Sequence, residues 1–146
     1  MKDLKHIHFY EDLLEQANNE LVQKAKEDGK VACGYSCFYI PEVLLNVDKA
    51  FSVRLRAPNT GSLDISQYYM SSFICGYSRA LFERAFEGGY NFLDMWCSSD
   101  TCQQMNRVVE NVDKLNLIDN ARFTHGIIDA PLKVSPHGLK HYINQI

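Results

Sequence analysis

The chain has 146 residues and a net charge of −3, with 46% apolar and 23% charged residues. That is the length and make-up of one globular domain with a real core, and it argues against disorder. There is no lysine/arginine run of the kind that marks a nucleic-acid surface, and no stretch reaches the roughly 18 apolar residues of a membrane span.

The N-terminal segment has no apolar run like that of a signal peptide, so a cytoplasmic protein with no membrane or nucleic-acid partner is expected. Residues 4 to 28 read as one helix, with Leu4, Ile7, Leu13, Leu14, Ala17, Leu21, Val22 and Ala25 at helical spacing and Gly29 as its C-cap. "VACGYSCFYI" (31–40) is a short apolar strand followed by a loop. Pro41 then opens a helix through "PEVLLNVDKAF", and "FSVRLRA" (51–57) alternates as a second strand. "PNTGSLD" (58–64) is a loop, and Ile65 to Phe86 is a long helical region with a break near Cys75 and Gly76.

"NFLDMW" (91–96) is a third strand. Residues 101 to 114 follow as a helix with Val108, Val109, Val112 and Leu115 on one side. "ARFTHGIIDAP" (121–131) reads as a fourth strand, and Ser135 caps a last helix with Pro136 in its first turn. That helix stops after about three turns, as expected of a truncated chain. Strands alternating with helices predict an α/β fold: a Rossmann-like parallel sheet of four strands with helices on both faces. Segment 1–30 is expected as an N-terminal helix and 31–146 as the α/β domain.

In such sheets functional groups gather at the carboxyl ends of the strands. Three of those ends are chemically unusual here: "CGYSC", "CSSDTC" and "DAP". The five cysteines are Cys33, Cys37, Cys75, Cys97 and Cys102; the odd count and the expected reducing compartment argue against a disulfide framework. Cys102 opens a helix, where negative charge is favoured and a thiolate can serve a metal. The five-residue step from Cys97 to Cys102 is neither the redox spacing nor a complete zinc site, and Cys97 reads as a buried strand-end residue. Cys33 and Cys37, flanking "GYS", read as packing residues. Taken alone, Cys75 among Phe73, Ile74 and Leu81 also reads as a core cysteine. Composition and spacing therefore end at an α/β domain with a metal or cluster site at a sheet edge.

Four stretches in order carry a resemblance beyond this: "VACGYSCFYIPEVLLNVDKAFSVRL", "SSFICGYSRALFERAFEGGYNFLDMW", "SSDTCQQMNRVVENV" and "ARFTHGIIDAPLKVSPHGLKHYINQI". Together they resemble the cluster-bearing subunits of 2-hydroxyacyl-CoA dehydratases and the related benzoyl-CoA reductases, from about residue 30 to the end. The resemblance implies a lyase of anaerobic metabolism that removes water from a 2-hydroxyacyl-CoA through a ketyl radical. It implies a [4Fe–4S] cluster with Cys75 and Cys102 as ligands and a third cysteine outside this chain. Arg79, one turn beyond Cys75, would face the cluster's negative charge. Ser36 and Glu42 are the implied catalytic candidates, and Tyr39 lies on the same loop. The implied partners are the acyl-CoA substrate, a second dehydratase subunit and an ATP-dependent iron–sulfur activator protein.

The chain also departs from that pattern. Val43 stands where the family has a carboxylate, and Glu42 is displaced from it by one residue, about 100° around a helix. Lys49 replaces a glycine, Ser52 a proline, and Gln103 an aspartate after the ligand cysteine. These departures leave a second expectation: a non-catalytic α/β assembly module that binds a partner subunit without a cluster. His125 reads as a satisfied or packed histidine, and Asp129 as turn chemistry.

Overall fold

The structure, a computed structural model, describes residues 4–146. Four strands form one parallel sheet in the order β2-β1-β3-β4: β1 Val31–Tyr35, β2 Ala50–Arg54, β3 Met95–Ser99 and β4 Thr124–Ile128. The helices are α1 Lys5–Glu15, α2 Glu20–Glu27, α3 Asp64–Tyr69, α4 Gly76–Phe86, α5 Gln103–Lys114 and α6 Pro136–Ile143. The expected α/β parallel sheet flanked by helices is what the chain forms. Among the described residues no helix is long and apolar enough to cross a membrane.

The single helix expected over residues 4–28 is two helices. Asn19 is the reason: its Oδ1 accepts from the Leu21 and Val22 amides and so starts α2, while its Nδ2 donates to the Leu13 carbonyl at the end of α1. Residues 1–3 of that expected helical segment lie outside the described residues. After Pro41 the chain makes only one turn of 3-10 helix, Glu42–Leu45. Asn46 stops it by donating to the Glu42 carbonyl and accepting from the Ser52 amide, which ties the turn to β2. The break at Cys75 and Gly76 is present, and it separates α3 from α4.

The core lies on one face of the sheet. Trp96, Tyr90, Phe82, Leu81, Leu93 and Leu55 are fully buried there with Val108, Val109 and Val112 of α5. Each fully buried large apolar side chain stabilises the fold by about 1.5–3 kcal/mol. Gly34, between Val53 and Trp96 in the sheet, leaves room for this layer: a Cβ there would sit 3.0 Å from Leu55 and Leu93. A second, smaller cluster of Tyr35, Ile40 and Cys97 packs with Met95, Leu45 and Ile128.

β3 begins later than the apolar run "NFLDMW" suggests. The chain from Gly88 to Leu93 is still turning, with Leu93 donating to the Tyr90 carbonyl, and Leu93 packs as a core plug and not as a ladder residue. This shift carries Cys97 into the strand and places Ser98 and Ser99 at its carboxyl end. β4 is likewise shorter than expected, because Asn120 closes a turn onto the Leu93 carbonyl and the Asp94 carboxylate before the strand starts.

Candidate functional site

The strand order places β2 on one side of β1 and β3 on the other. The chain thus leaves β1 toward one edge and later returns to its other side. The carboxyl ends of β1 and β3 flank the point where the order reverses, which is where open α/β sheets form their ligand crevices.

A cavity of about 160 Å³ lies at that point. Ser36 and Cys37 enter it from the end of β1, and Ser99 and Thr101 from the end of β3. Cys75, Tyr77 and Ser78 come from the start of α4, and Cys102 and Met105 from the start of α5. Two helix N-termini and two strand ends therefore converge on one space.

Cys75 is the N-cap of α4: its Sγ accepts from the Ser78 amide at 3.4 Å and contacts Ser78 Oγ at 3.2 Å. Its own amide donates to Gln104 Oε1 of α5 at 2.7 Å. Cys102 is the N-cap of α5, with no side-chain hydrogen bond to the helix, so its thiol is not engaged in capping. Both cysteines are exposed.

Cys37 is half-buried between them and the end of β3, with its Sγ 3.8 Å from Thr101 Oγ1, which in turn bonds Ser99 Oγ at 2.8 Å. Burial by itself would push the Cys37 thiol up, but hydrogen bonds from Ser99, Thr101 and the Tyr39 and Phe38 backbone outweigh it, and the net direction is down. The other two cysteines behave oppositely. Burial pushes the Cys97 thiol up to about 11, and burial together with Asp94 raises Cys33. Both are neutral core thiols.

Ser36 is 7% exposed, and its Oγ has no hydrogen-bond partner. A buried unpaired hydroxyl costs about 1–3 kcal/mol unless something satisfies it, so among the described residues this oxygen is free to bond a water or other group in the cavity.

Ser36, Cys75 and Cys102 are thus brought together. Glu42 and Arg79 are not among the cavity's lining residues. The Glu42 carboxylate accepts from Ser52 Oγ at 2.8 Å, beside β2. Arg79 lies one turn into α4 with its buried Nε unpaired. The Tyr39 carbonyl accepts from Tyr142 of α6, and Tyr39 lines a separate apolar cavity of about 410 Å³ with Phe38, Pro41, Leu139 and Val134. His125 meets Asp113 at 3.2 Å, and Asp129 holds His141 and Gln145, which anchors α6.

Cys37, Ser78, Ser99 and Thr101 escape the sequence reading of the site. The signal for Cys37 is its place in "CGYSC", two residues past β1, which is noted as unusual but assigned to packing. Cys75 and Cys102 offer two exposed soft sulfur donors, a type that serves copper(I), zinc and iron–sulfur centres alike. Among the described residues no three His, Cys, Asp or Glu side chains are gathered as a ready metal site.

Residues 37–146 match the family described as 2-hydroxyglutaryl-CoA dehydratase, D-component. The chain is also similar to the (R)-phenyllactyl-CoA dehydratase beta subunit of Clostridium sporogenes, at 27% identity over 116 residues. That alignment covers 75% of this chain and 31% of the relative, so the chain spans about a third of the relative's length.

Proposed function

The chain belongs to the 2-hydroxyglutaryl-CoA dehydratase D-component family, and from that premise we propose that it is the cluster-binding N-terminal part of a 2-hydroxyacyl-CoA dehydratase subunit. Its reaction is removal of water from a 2-hydroxyacyl-CoA. The observation that carries this reading is the meeting of Cys75 and Cys102 in one cavity at the reversal point of the sheet. They lie 27 residues apart in sequence, on different helices, and nothing in core packing requires two exposed cysteines there.

When bound, a [4Fe–4S] cluster would supply one-electron chemistry that no side chain here can supply. Cys75 and Cys102 would hold iron. The Gln104 side chain fixes the Cys75 backbone relative to α5, so the two thiols keep their spacing. Ser36 Oγ, which has no protein partner, donates a hydrogen bond to a substrate oxygen that enters the cavity. Ser78 and Met105 wall the base of the site and keep water from it.

The partners on this reading are a second dehydratase subunit and an ATP-dependent iron–sulfur activator. The test is assay of the full-length natural protein, purified without oxygen with its partner subunit and activator, for water elimination from a series of 2-hydroxyacyl-CoA thioesters. Elimination that disappears with Cys75→Ala is expected. A complete assembly that turns over none of them refutes the reading.

One observation favours a second reading. Glu42 is engaged by Ser52 beside β2 and lines neither cavity, which leaves that family carboxylate without a counterpart at the site. An assembly module without a cluster would bind its partner subunit while containing no iron.

A further inference from the structure

We propose that the amino end of the sheet carries a second binding site, which takes the phosphate group of a small molecule between Lys30 and Arg122. It lies at the opposite end of the strands from the cysteine cavity and does not depend on the cluster reading.

A cavity of about 360 Å³ opens where β1, β3 and β4 begin. Three cations line it: Lys26 from α2, Lys30 from the residue before β1 and Arg122 from the turn before β4. Thr124 adds a hydroxyl. The local fold brings the two lysines to one space. Gly29, at φ +76°, ends α2 and turns the chain directly into β1, with the Gly29 and Lys30 amides donating to the Lys26 and Ala25 carbonyls.

The charges at this cavity do not cancel. Its one carboxylate, Asp94, is buried and already engaged: it accepts from Lys26 Nζ at 2.5 Å, the Ala32 amide at 2.8 Å and the Asn120 side chain at 3.1 Å. That pairing neutralises Lys26 and fixes its ammonium at the cavity wall, with its other N–H donors left for a ligand. Among the described residues the Lys30 and Arg122 side chains form no hydrogen bond or ion pair. Their two charges match the roughly −1.5 to −2 of a phosphate monoester at neutral pH. The chain as a whole carries −3, so an anion is drawn to this spot and not to the surface at large. A guanidinium fork fits two phosphate oxygens, and an ammonium beside it supplies a point charge.

Inorganic phosphate and a nucleotide monoester share this chemistry, and the test separates them. The full-length natural protein is titrated calorimetrically with inorganic phosphate, with adenosine monophosphate and with sodium chloride at matched ionic strength. Lys30→Gln and Arg122→Gln are compared with Lys114→Gln, which removes the same charge from the end of α5. All three side chains are exposed, so the variants leave the core intact.

Saturable binding is expected, weakened about tenfold or more by Lys30→Gln and by Arg122→Gln and unchanged by Lys114→Gln. Tighter binding of the nucleotide assigns the site to a phosphate monoester, and equal affinities assign it to phosphate itself. Heats no different from those of sodium chloride overturn the proposal. So does binding that survives Lys30→Gln and Arg122→Gln, or that Lys114→Gln weakens equally. The cluster reading stands in either case, because neither residue lines the cysteine cavity.

Discussion

The amide of Cys75 donates to the side-chain carbonyl of Gln104 at 2.7 Å, so the first turn of α5 grips the cap of α4. Gln104 is two residues past Cys102. The helices that start at the two cysteines the family resemblance singles out are therefore tied by a cross-helix bond from Cys75 to Gln104, and both cysteines line one cavity.

Gln104→Ala should loosen that link. The bond is in a partly exposed setting, so the stability loss should be small, about 0.5–1 kcal/mol. The larger effect should be on metal retention, because the spacing of the two thiols is no longer held. Urea unfolding measures the first effect, and iron retained by the loaded full-length protein measures the second. A variant that loses stability but not iron would show that the bond is purely structural.

Ser36→Ala removes a hydroxyl whose oxygen has no partner. Its effect on stability should lie within about 0.5 kcal/mol of zero, or be slightly favourable. Turnover of a 2-hydroxyacyl-CoA by the complete enzyme should fall, since the substrate loses a donor. Thermal unfolding and steady-state kinetics separate the two. A clear loss of stability would mean that Ser36 has a structural partner.

Glu83 is a buried carboxylate on α4, 3% exposed, that accepts from the Ile65 and Ser66 amides. It caps α3, whose own N-cap residue Leu63 supplies no side-chain bond. Glu83→Ala should cost about 1–3 kcal/mol by leaving those amides unpaired, and Glu83→Gln distinctly less because an acceptor remains. Denaturant melts of the two variants side by side check the ordering. Equal losses would mean that charge, not capping, is what Glu83 provides.

Asp94 predicts an acid sensitivity. Burial alone would raise its carboxyl, but the Lys26 ammonium at 2.5 Å, the Ala32 amide at 2.8 Å and the Asn120 amide outweigh burial and lower it below its ordinary 3.8. A carboxyl lowered on folding stabilises the fold above its unfolded value and stops doing so as pH falls through its folded value. Asp94→Asn should therefore be less stable than the parent at neutral pH, by about 1–3 kcal/mol. The gap should begin to narrow as pH falls below the ordinary 3.8 and close only as it passes through the lowered folded value, where the parent's carboxylate is protonated. Melting temperature against pH for both proteins reads this directly, and a gap that persists unchanged in acid would contradict it.

Much of the frame is legible in the sequence because it depends on local pattern. Ser135 followed by Pro136 starts α6 as the residues suggest: Ser135 Oγ accepts from the Gly138 amide. The break at Cys75 is visible because Gly76 follows it, and the parallel sheet follows from the alternation of elements.

What is not legible depends on distant contacts. Asn19 looks like a tolerable helix residue until its bonds to Leu13 and the α2 amides divide one helix into two. Leu93 looks like a strand residue until its burial between Gly34 and the helices makes it a plug. The same shift decides the cysteines. Cys97, five residues from Cys102, enters the core, while Cys37, 65 residues from Cys102, comes to its side. Strand order cannot be read from local pattern, so the cavity between β1 and β3 could not be either.

The central claim is that Cys75 and Cys102 bind an iron–sulfur centre. The most direct measurement is iron and acid-labile sulfide per chain in the full-length natural product purified without oxygen, beside Cys75→Ala and Cys102→Ala. The account predicts a brown protein with near-stoichiometric cluster that each substitution abolishes while the fold persists. A well-folded protein that contains no iron, or iron that survives both substitutions, would contradict it.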